Sequence, residues 1–403
     1  MTAAAPNTTT PPASTGIARW QMPALIAGVI GLALTLLGWV LAADKADFYR
    51  AYLPSWLFWF QIVAGCLGVL CLQYVTGGEW GILIRRPLGA AARTMWLIAL
   101  LFIPIVLGAR ALYPWMDANV MNSHEALREK AGYLNFNFWL GRTILYFALW
   151  LFWAWRLRRL SVSFAETRAP ETELSRRKMS AAGLLMFVLT LTFCSIDWVM
   201  SLEPLWYSSM YGINFLVGAG LGAFAFVTFF LTRLAPTPAM ARILKPSHLR
   251  DLGNLMLAFV MFWAYTAFSE YLLMWYANLK EEIPHYLVRQ SGFWGVIALI
   301  VIVFHFFLPF GMLLMRAIKD RASTIAVVTV IVLVVRYIAL YWLTAPSYYE
   351  HFRYSWVGLT SLVGIGGLWL WAFIGQLKGQ SIIPVHETWV EEAIREGALN
   401  VNA

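Results

Sequence analysis

Charge, cysteine and histidine are all scarce in this chain: of 403 residues only 13% are charged, three are cysteine and six are histidine. Cys66, Cys71 and Cys194 lie within apolar stretches and none belongs to a Cys-x-x-Cys pair. That argues against a disulfide framework, a zinc site or an iron–sulfur cluster built by this chain. A transmembrane dihaem cytochrome b needs pairs of axial histidines on facing helices, and only His305 falls deep inside an apolar run, which argues against internal haem. No G-x-x-x-x-G-K-[ST] phosphate loop occurs, which speaks against an intrinsic ATPase, and there is no H-E-x-x-H zinc site. Polar connections are too short to fold as a soluble redox domain, the longest being about twenty residues. The chain is therefore expected to bind no cofactor of its own.

What is plentiful is apolar surface. The sequence is 60% hydrophobic and 16% aromatic, with 21 tryptophans, and its apolar runs reach the ~20 residues that cross a bilayer. Tryptophans on this scale suit interfacial belts, packing against other proteins, or a flat apolar ligand. Polar breaks divide the chain into ten expected helices, near 20–42, 53–75, 94–112, 135–158, 179–200, 207–232, 252–277, 291–316, 322–345 and 355–377. The fold class is all-α and polytopic, with two four-helix bundles (about 53–200 and 207–345) and two flanking helices. Residues 1–19, rich in Pro, Thr and Ala, read as a disordered tail without a convincing cleavage site, and 379–403 as a second tail.

An even number of spans places both termini on one side. Of 30 Lys and Arg, 20 lie in segments on that side and eight on the other, so the positive-inside rule predicts cytoplasmic termini. The net charge of +9 thereby has a topological reading, and nucleic acid is discounted as a partner. The remaining two cations, Arg142 and Arg336, fall inside spans.

Helical rise puts Glu270 and Arg142 roughly 10 Å below the outer ends of their helices, Asp197 about one turn down, and Arg336 and His305 near mid-membrane. A charge at the bilayer centre costs roughly 3 kcal/mol, so such groups face a bundle interior, pair together, or line a pathway. Spacing of three and four residues supports inward faces: Thr190, Cys194, Asp197 and Ser201; Asn135, Trp139, Arg142, Tyr146 and Trp153; Thr266 and Glu270 beside Ser269. Pro309 cannot donate to the carbonyl of His305, leaving that carbonyl free. Two readings remain open: ion pairs that tie helices together, or a proton, quinone or ion pathway. His305 reads either as a core residue or as a functional one. Gly218 and Gly222, and Gly364, Gly366 and Gly367, read as close-packing positions. Gly77-Gly78 suits a tight turn, and Arg85-Arg86-Pro87 an interfacial anchor.

Four blocks resemble one family: "TGGEWGILIRRPLGAAART" (76–94) with "LLFIPIVLGA" (100–109), "SIDWVMSLEPLWYSSMYG" (195–212), and "FSEYLLMWYANLKEEIPHYLVR" (268–289). Together with the ten-span layout they are similar to the second large membrane subunit of alternative complex III, a bacterial quinol:cytochrome c oxidoreductase. That subunit belongs to the NrfD/polysulfide-reductase membrane-subunit superfamily. The resemblance covers most of the membrane region. It implies a bacterial inner-membrane subunit without its own cofactor, seated beside a paralogous NrfD-like quinol-oxidising subunit. Periplasmic multihaem cytochrome c and iron–sulfur subunits would be its other partners, with lipid around it and quinone or quinol possible nearby. In this family the subunit is a scaffold and a candidate proton path, and glutamine is expected in many relatives where this chain has Glu270. Asp197, Glu270, Arg142, Arg336 and His305 are the candidate proton-path or buried polar residues, with no catalytic or metal residues. The rival readings are a passive anchor of the same complex and a secondary transporter. Pro104 and Pro309 could interrupt helices for the latter, though no strong pair of broken helices occupies corresponding halves.

Overall fold

A computed structural model describes residues 15–241 and 243–378. Among these residues all regular structure is helical, and nine helices are long and apolar enough to cross a membrane. The chain is an all-α, multi-pass membrane protein. The long helices are α1 (Gln21–Leu41), α2 (Lys45–Thr76), α3 (Arg85–Leu107, interrupted), α4 (Phe136–Thr167) and α5 (Pro170–Trp198). They continue with α6 (Tyr211–Leu234), α7 (Pro246–Ala277), α8 (Gly292–Leu314), α9 (Ala322–Thr344) and α10 (Trp356–Leu377). Only α4 stands outside the nine, since Trp, Tyr and Arg142 occupy places that aliphatic residues hold elsewhere.

Several helices outrun the apolar stretches that announce them, because hydropathy marks the depth of the hydrocarbon and not the end of hydrogen bonding. The stretch 159–178, expected as a loop, is mostly helix. Arg168 turns the chain in the left-handed region at φ 51°, and Pro170 starts α5 at a position where its missing N–H costs nothing. Thr15–Ala18, expected within a disordered tail, form one helical turn. The readings of residues 1–14 and 379–403 as tails lie outside the described residues. Gly77 and Gly78 do make the tight turn, both at positive φ.

Two helices depart from regular geometry at the prolines singled out above. In α3, short segments break at residues 93–94 and 101–102, with Pro104 in the first turn of Ile103–Leu107. In α8, Ile302–Phe307 widen into a π-helical turn just before Pro309.

The centre of the molecule is the crossing of α2 and α6, both apolar and buried nearly all round. Gly65 permits it: a Cβ there would fall on the carbonyl of Ala219. Helices α3, α4 and α5 gather about α2, while α7 and α9 pack on α6 with α8 between them. The first group is filled with rings. Trp56, Phe60, Phe102, Phe147, Trp150 and Trp198 form one continuous cluster of rings, mostly tilted or edge-on, with Phe102 and Trp198 centroids 4.9 Å apart and Phe60 and Trp198 5.1 Å. Many tryptophans therefore serve the interior; Trp56, Trp139, Trp150, Trp198, Trp294 and Trp369 are all fully buried.

Helix α1 buries only Ala24, Gly28, Gly31, Thr35 and Gly38, a stripe of small residues at three- and four-residue spacing, and lays it on α10. A Cβ on Gly31 would stand 2.6 Å from the Cα of Gly364. By contrast Gly222 meets only Ile62, at 3.8 Å, so the expected close packing holds at Gly364 and not at Gly222. Gly364→Leu is expected to part α1 from α10 at a cost of about 1–3 kcal/mol, whereas Gly222→Ala should be neutral. Unfolding midpoints of the two variants in detergent would check this; equal midpoints would refute it.

Candidate functional site

The buried polar residues fall into three groups, each set by a different contact between helices. One face of the molecule carries the connections 113–135, 199–210, 278–291 and 345–355; it is called the distal face here, opposite the ends of α10 and the start of α1.

The first group locks α4 to α5. Asp197, wholly buried, accepts from Arg142 Nη2 at 2.7 Å and from Arg142 Nε at 2.8 Å, a bidentate pair, and from the Tyr146 hydroxyl at 2.8 Å. The guanidinium lies 3.8 Å from the Tyr133 ring and 4.3 Å from Phe138, and Nη1 donates to the Tyr133 carbonyl at 3.1 Å. The indole N–H of Trp139 and the hydroxyl of Ser201 both donate to the backbone carbonyl of Asp197, at 3.0 and 2.7 Å. Farther along the same stripe, Thr190 accepts from Trp150 Nε1 at 2.9 Å. Asp197 and Arg142 thus face inward, as the helical spacing implies, and meet there, where direct bonds and rings close the stripe.

The second group binds the distal connections over α6–α9. Glu203 accepts from Arg289 Nη2 at 2.6 Å and from the Ser347 hydroxyl at 2.6 Å through one oxygen, and its other oxygen lies 2.8 Å from His285 Nδ1. Arg289 is fully buried and also donates to the carbonyls of His285 and Leu343, at 2.9 and 2.8 Å. The imidazole stacks on Trp206 with centroids 3.9 Å apart. Burial would raise the Glu203 carboxyl, but the Arg289 charge and the bonds from His285 and Arg289 outweigh it and hold the carboxyl well below its usual range. Burial, joined by the Arg289 charge, pushes His285 down to about 4 despite Glu203 beside it. Burial also raises the Tyr286 phenol, with the Glu270 carboxylate as the next cause.

Glu270 lies just beneath this group and faces the bundle, not lipid. The buried face of α7 runs Val260, Trp263, Thr266, Glu270, Met274, at the three- and four-residue steps of one helical stripe. The carboxylate accepts from Tyr286 at 3.3 Å, and the Ser208 hydroxyl is a further polar neighbour. One turn below, Thr266 accepts from Asn214 at 3.3 Å. Buried Tyr211, which opens α6, feels the charges of Glu203, Arg289, Glu270 and Arg336 together.

The third group lies deeper. Arg336 of α9 donates from Nε to Gln61 of α2 at 2.9 Å, and its guanidinium rests on bare Gly218 of α6. The His305 ring, fully buried in the π-helical turn of α8, stands 4.2 Å from the Trp263 ring, and Arg336 is the charge acting on it. Among the described residues no carboxylate pairs with Arg336. Toward the opposite face, buried Lys319 donates to Asn254 at 2.6 Å.

The structure therefore joins Arg142 to Asp197, brings His305 and Arg336 into one group, and leaves Glu270 between that group and the distal connections. Sequence reasoning missed Glu203, His285, Arg289, Ser347 and Gln61. Glu203, His285 and Arg289 do stand inside two of the distinctive blocks quoted above. Among the described residues no three His, Cys, Asp or Glu side chains gather as metal ligands. No family model and no curated protein matches the sequence.

Proposed function

We propose that this chain is a cofactor-free membrane subunit of a respiratory quinol:cytochrome c, or other periplasmic-acceptor, oxidoreductase. It would reside in a bacterial inner membrane with cytoplasmic termini, beside a paralogous NrfD-like subunit and beneath multihaem cytochrome c and iron–sulfur subunits. In this reading the two halves of the molecule divide the labour. The first bundle is scaffold, its ring cluster sealed around the Arg142–Asp197 pair. The second, joined by Gln61 of α2, offers a polar column for protons, through Lys319, Arg336 and His305 to Glu270, Tyr211 and the Glu203 group.

The observation that carries the reading is the position of Glu270. A buried carboxylate with only hydroxyl partners, set between a distal charged cluster and a mid-depth cation, suits a group that exchanges protons. Quinol oxidation next to acceptors on the periplasmic side would release protons on the distal face. The transporter alternative asks for broken helices in corresponding places, whereas α3 is the second helix of its group and α8 the third of its own.

Mild-detergent purification from native membranes should bring multihaem c and iron–sulfur polypeptides with the chain, seen by haem spectrum and mass spectrometry. In that complex, Glu270→Gln should lower proton release per quinol oxidised several-fold. Recovery of the chain alone and haem-free, from membranes whose other complexes survive intact, would refute the assignment. Unchanged proton release in Glu270→Gln would remove the column from it.

A further inference from the structure

The group around Arg336 has an unequal inventory of donors and acceptors. Arg336 is 4% exposed and spends Nε on Gln61 Oε1. Gln61, 1% exposed, thereby uses its acceptor and keeps its amide N–H2 without a partner. The Trp263 indole N–H is likewise buried and unpartnered, and so are both ring nitrogens of wholly buried His305. A neutral imidazole offers one donor and one acceptor, so against the guanidinium, amide, indole and imidazole N–H groups stand only one imidazole nitrogen and the second lone pair of Gln61 Oε1.

Two pairs from four helices make up the group: Gln61 on α2 meets Arg336 on α9 at 2.9 Å, Trp263 on α7 meets His305 on α8 with ring centroids 4.2 Å apart, and the Arg336 charge acts on His305. Val217, Trp263, Val301 and Val335 pack in one cluster, which sets Trp263 beside the neighbours of Gly218 and Arg336. The local backbone is specialised twice over. A Cβ at Gly218 would collide with the guanidinium, and the π-helical turn that carries His305 is a form enriched at functional sites.

We propose that Arg336, Gln61, Trp263 and His305 form a buried site for a small monovalent anion that accepts hydrogen bonds and donates none, with chloride as the physiological form. Water satisfies such a set poorly, since it brings donors along with its lone pairs and leaves the cation without a counterion. An anion answers both needs: it accepts from several N–H groups at once and neutralises Arg336 in a medium of low dielectric. The site stands independently of the respiratory assignment.

The test compares the purified full chain in chloride and in gluconate at equal ionic strength. Chloride should raise the thermal midpoint in a saturable manner. Bromide should quench part of the tryptophan emission saturably, and that part should vanish in Trp263→Phe. Arg336→Gln should abolish both effects. Should that variant fail to fold, Gln61→Met, which removes one donor, should weaken the apparent chloride affinity about tenfold or more. Identical midpoints and emission of the wild-type chain in chloride, bromide and gluconate would overturn the proposal, as would bromide quenching that never saturates.

Discussion

Removing either partner of the Arg142–Asp197 pair is expected to destabilise the folded chain by about 3–5 kcal/mol, while removing both should restore most of the loss. The asymmetry follows from burial. Asp197 is shielded completely and Arg142 nearly so, and each satisfies its charge on the other through two bonds of 2.7 and 2.8 Å. Asp197→Ala leaves the guanidinium with one carbonyl and two aromatic faces; Arg142→Met leaves the carboxylate with the Tyr146 hydroxyl alone. In the double variant Arg142→Met, Asp197→Leu no charge is stranded. The Trp139 and Ser201 bonds survive because they reach the backbone of residue 197, and only the Tyr146 hydroxyl and the Tyr133 carbonyl lose a partner, each worth about 1 kcal/mol. Unfolding midpoints in detergent decide the matter, and additive losses in the double variant would contradict it. If the complex proposed above is recovered, the folded double variant should release protons as the wild type does, since the pair is placed with the scaffold.

Glu203→Ala is expected to cost about 2–4 kcal/mol, less than a sealed pair because this carboxylate is partly open to solvent. One side chain holds Arg289, His285 and Ser347, so its loss frees three of the distal connections at once and strands a buried guanidinium. The same cluster fixes a pH dependence. His285 has its pKa lowered from 6.5 to about 4, so below about 6.5 the unfolded chain takes up a proton that the native imidazole refuses. Stability should therefore fall as pH drops from about 6.5 to about 4, by about 3 kcal/mol from this residue. Glu203 is depressed below its ordinary 4.5, so its contribution is fully present above that pH and is lost only as pH falls through the lower native value. Midpoints measured from pH 8 to pH 4 should slope downward below 6.5, and His285→Gln should flatten the window between 6.5 and 4. A profile unchanged by that substitution would place the titrating group elsewhere.

The amino-acid sequence by itself determined the class of the molecule, because about twenty apolar residues have few stable states other than a membrane helix and the polar breaks between such runs are hard to hide. It also determined which faces of α4, α5 and α7 turn inward: Asp197, Arg142 and Glu270 are buried where three- and four-residue spacing placed them. Periodicity is a property of one helix, so one helix suffices to read it. What only the tertiary structure decided was pairing, which belongs to two helices or more. Arg142 and Asp197 are 55 positions apart, Gln61 and Arg336 275, and Glu203 and Ser347 144; no local pattern connects them. The same limit explains Gly218. A small residue three or four places from another suggests a helix crossing, yet here the missing side chain makes room for a guanidinium carried by α9. The difference between a sealed ion pair and a cation with no carboxylate partner among the described residues, on which the proposed division of labour between the two bundles rests, is likewise a matter of which helices meet.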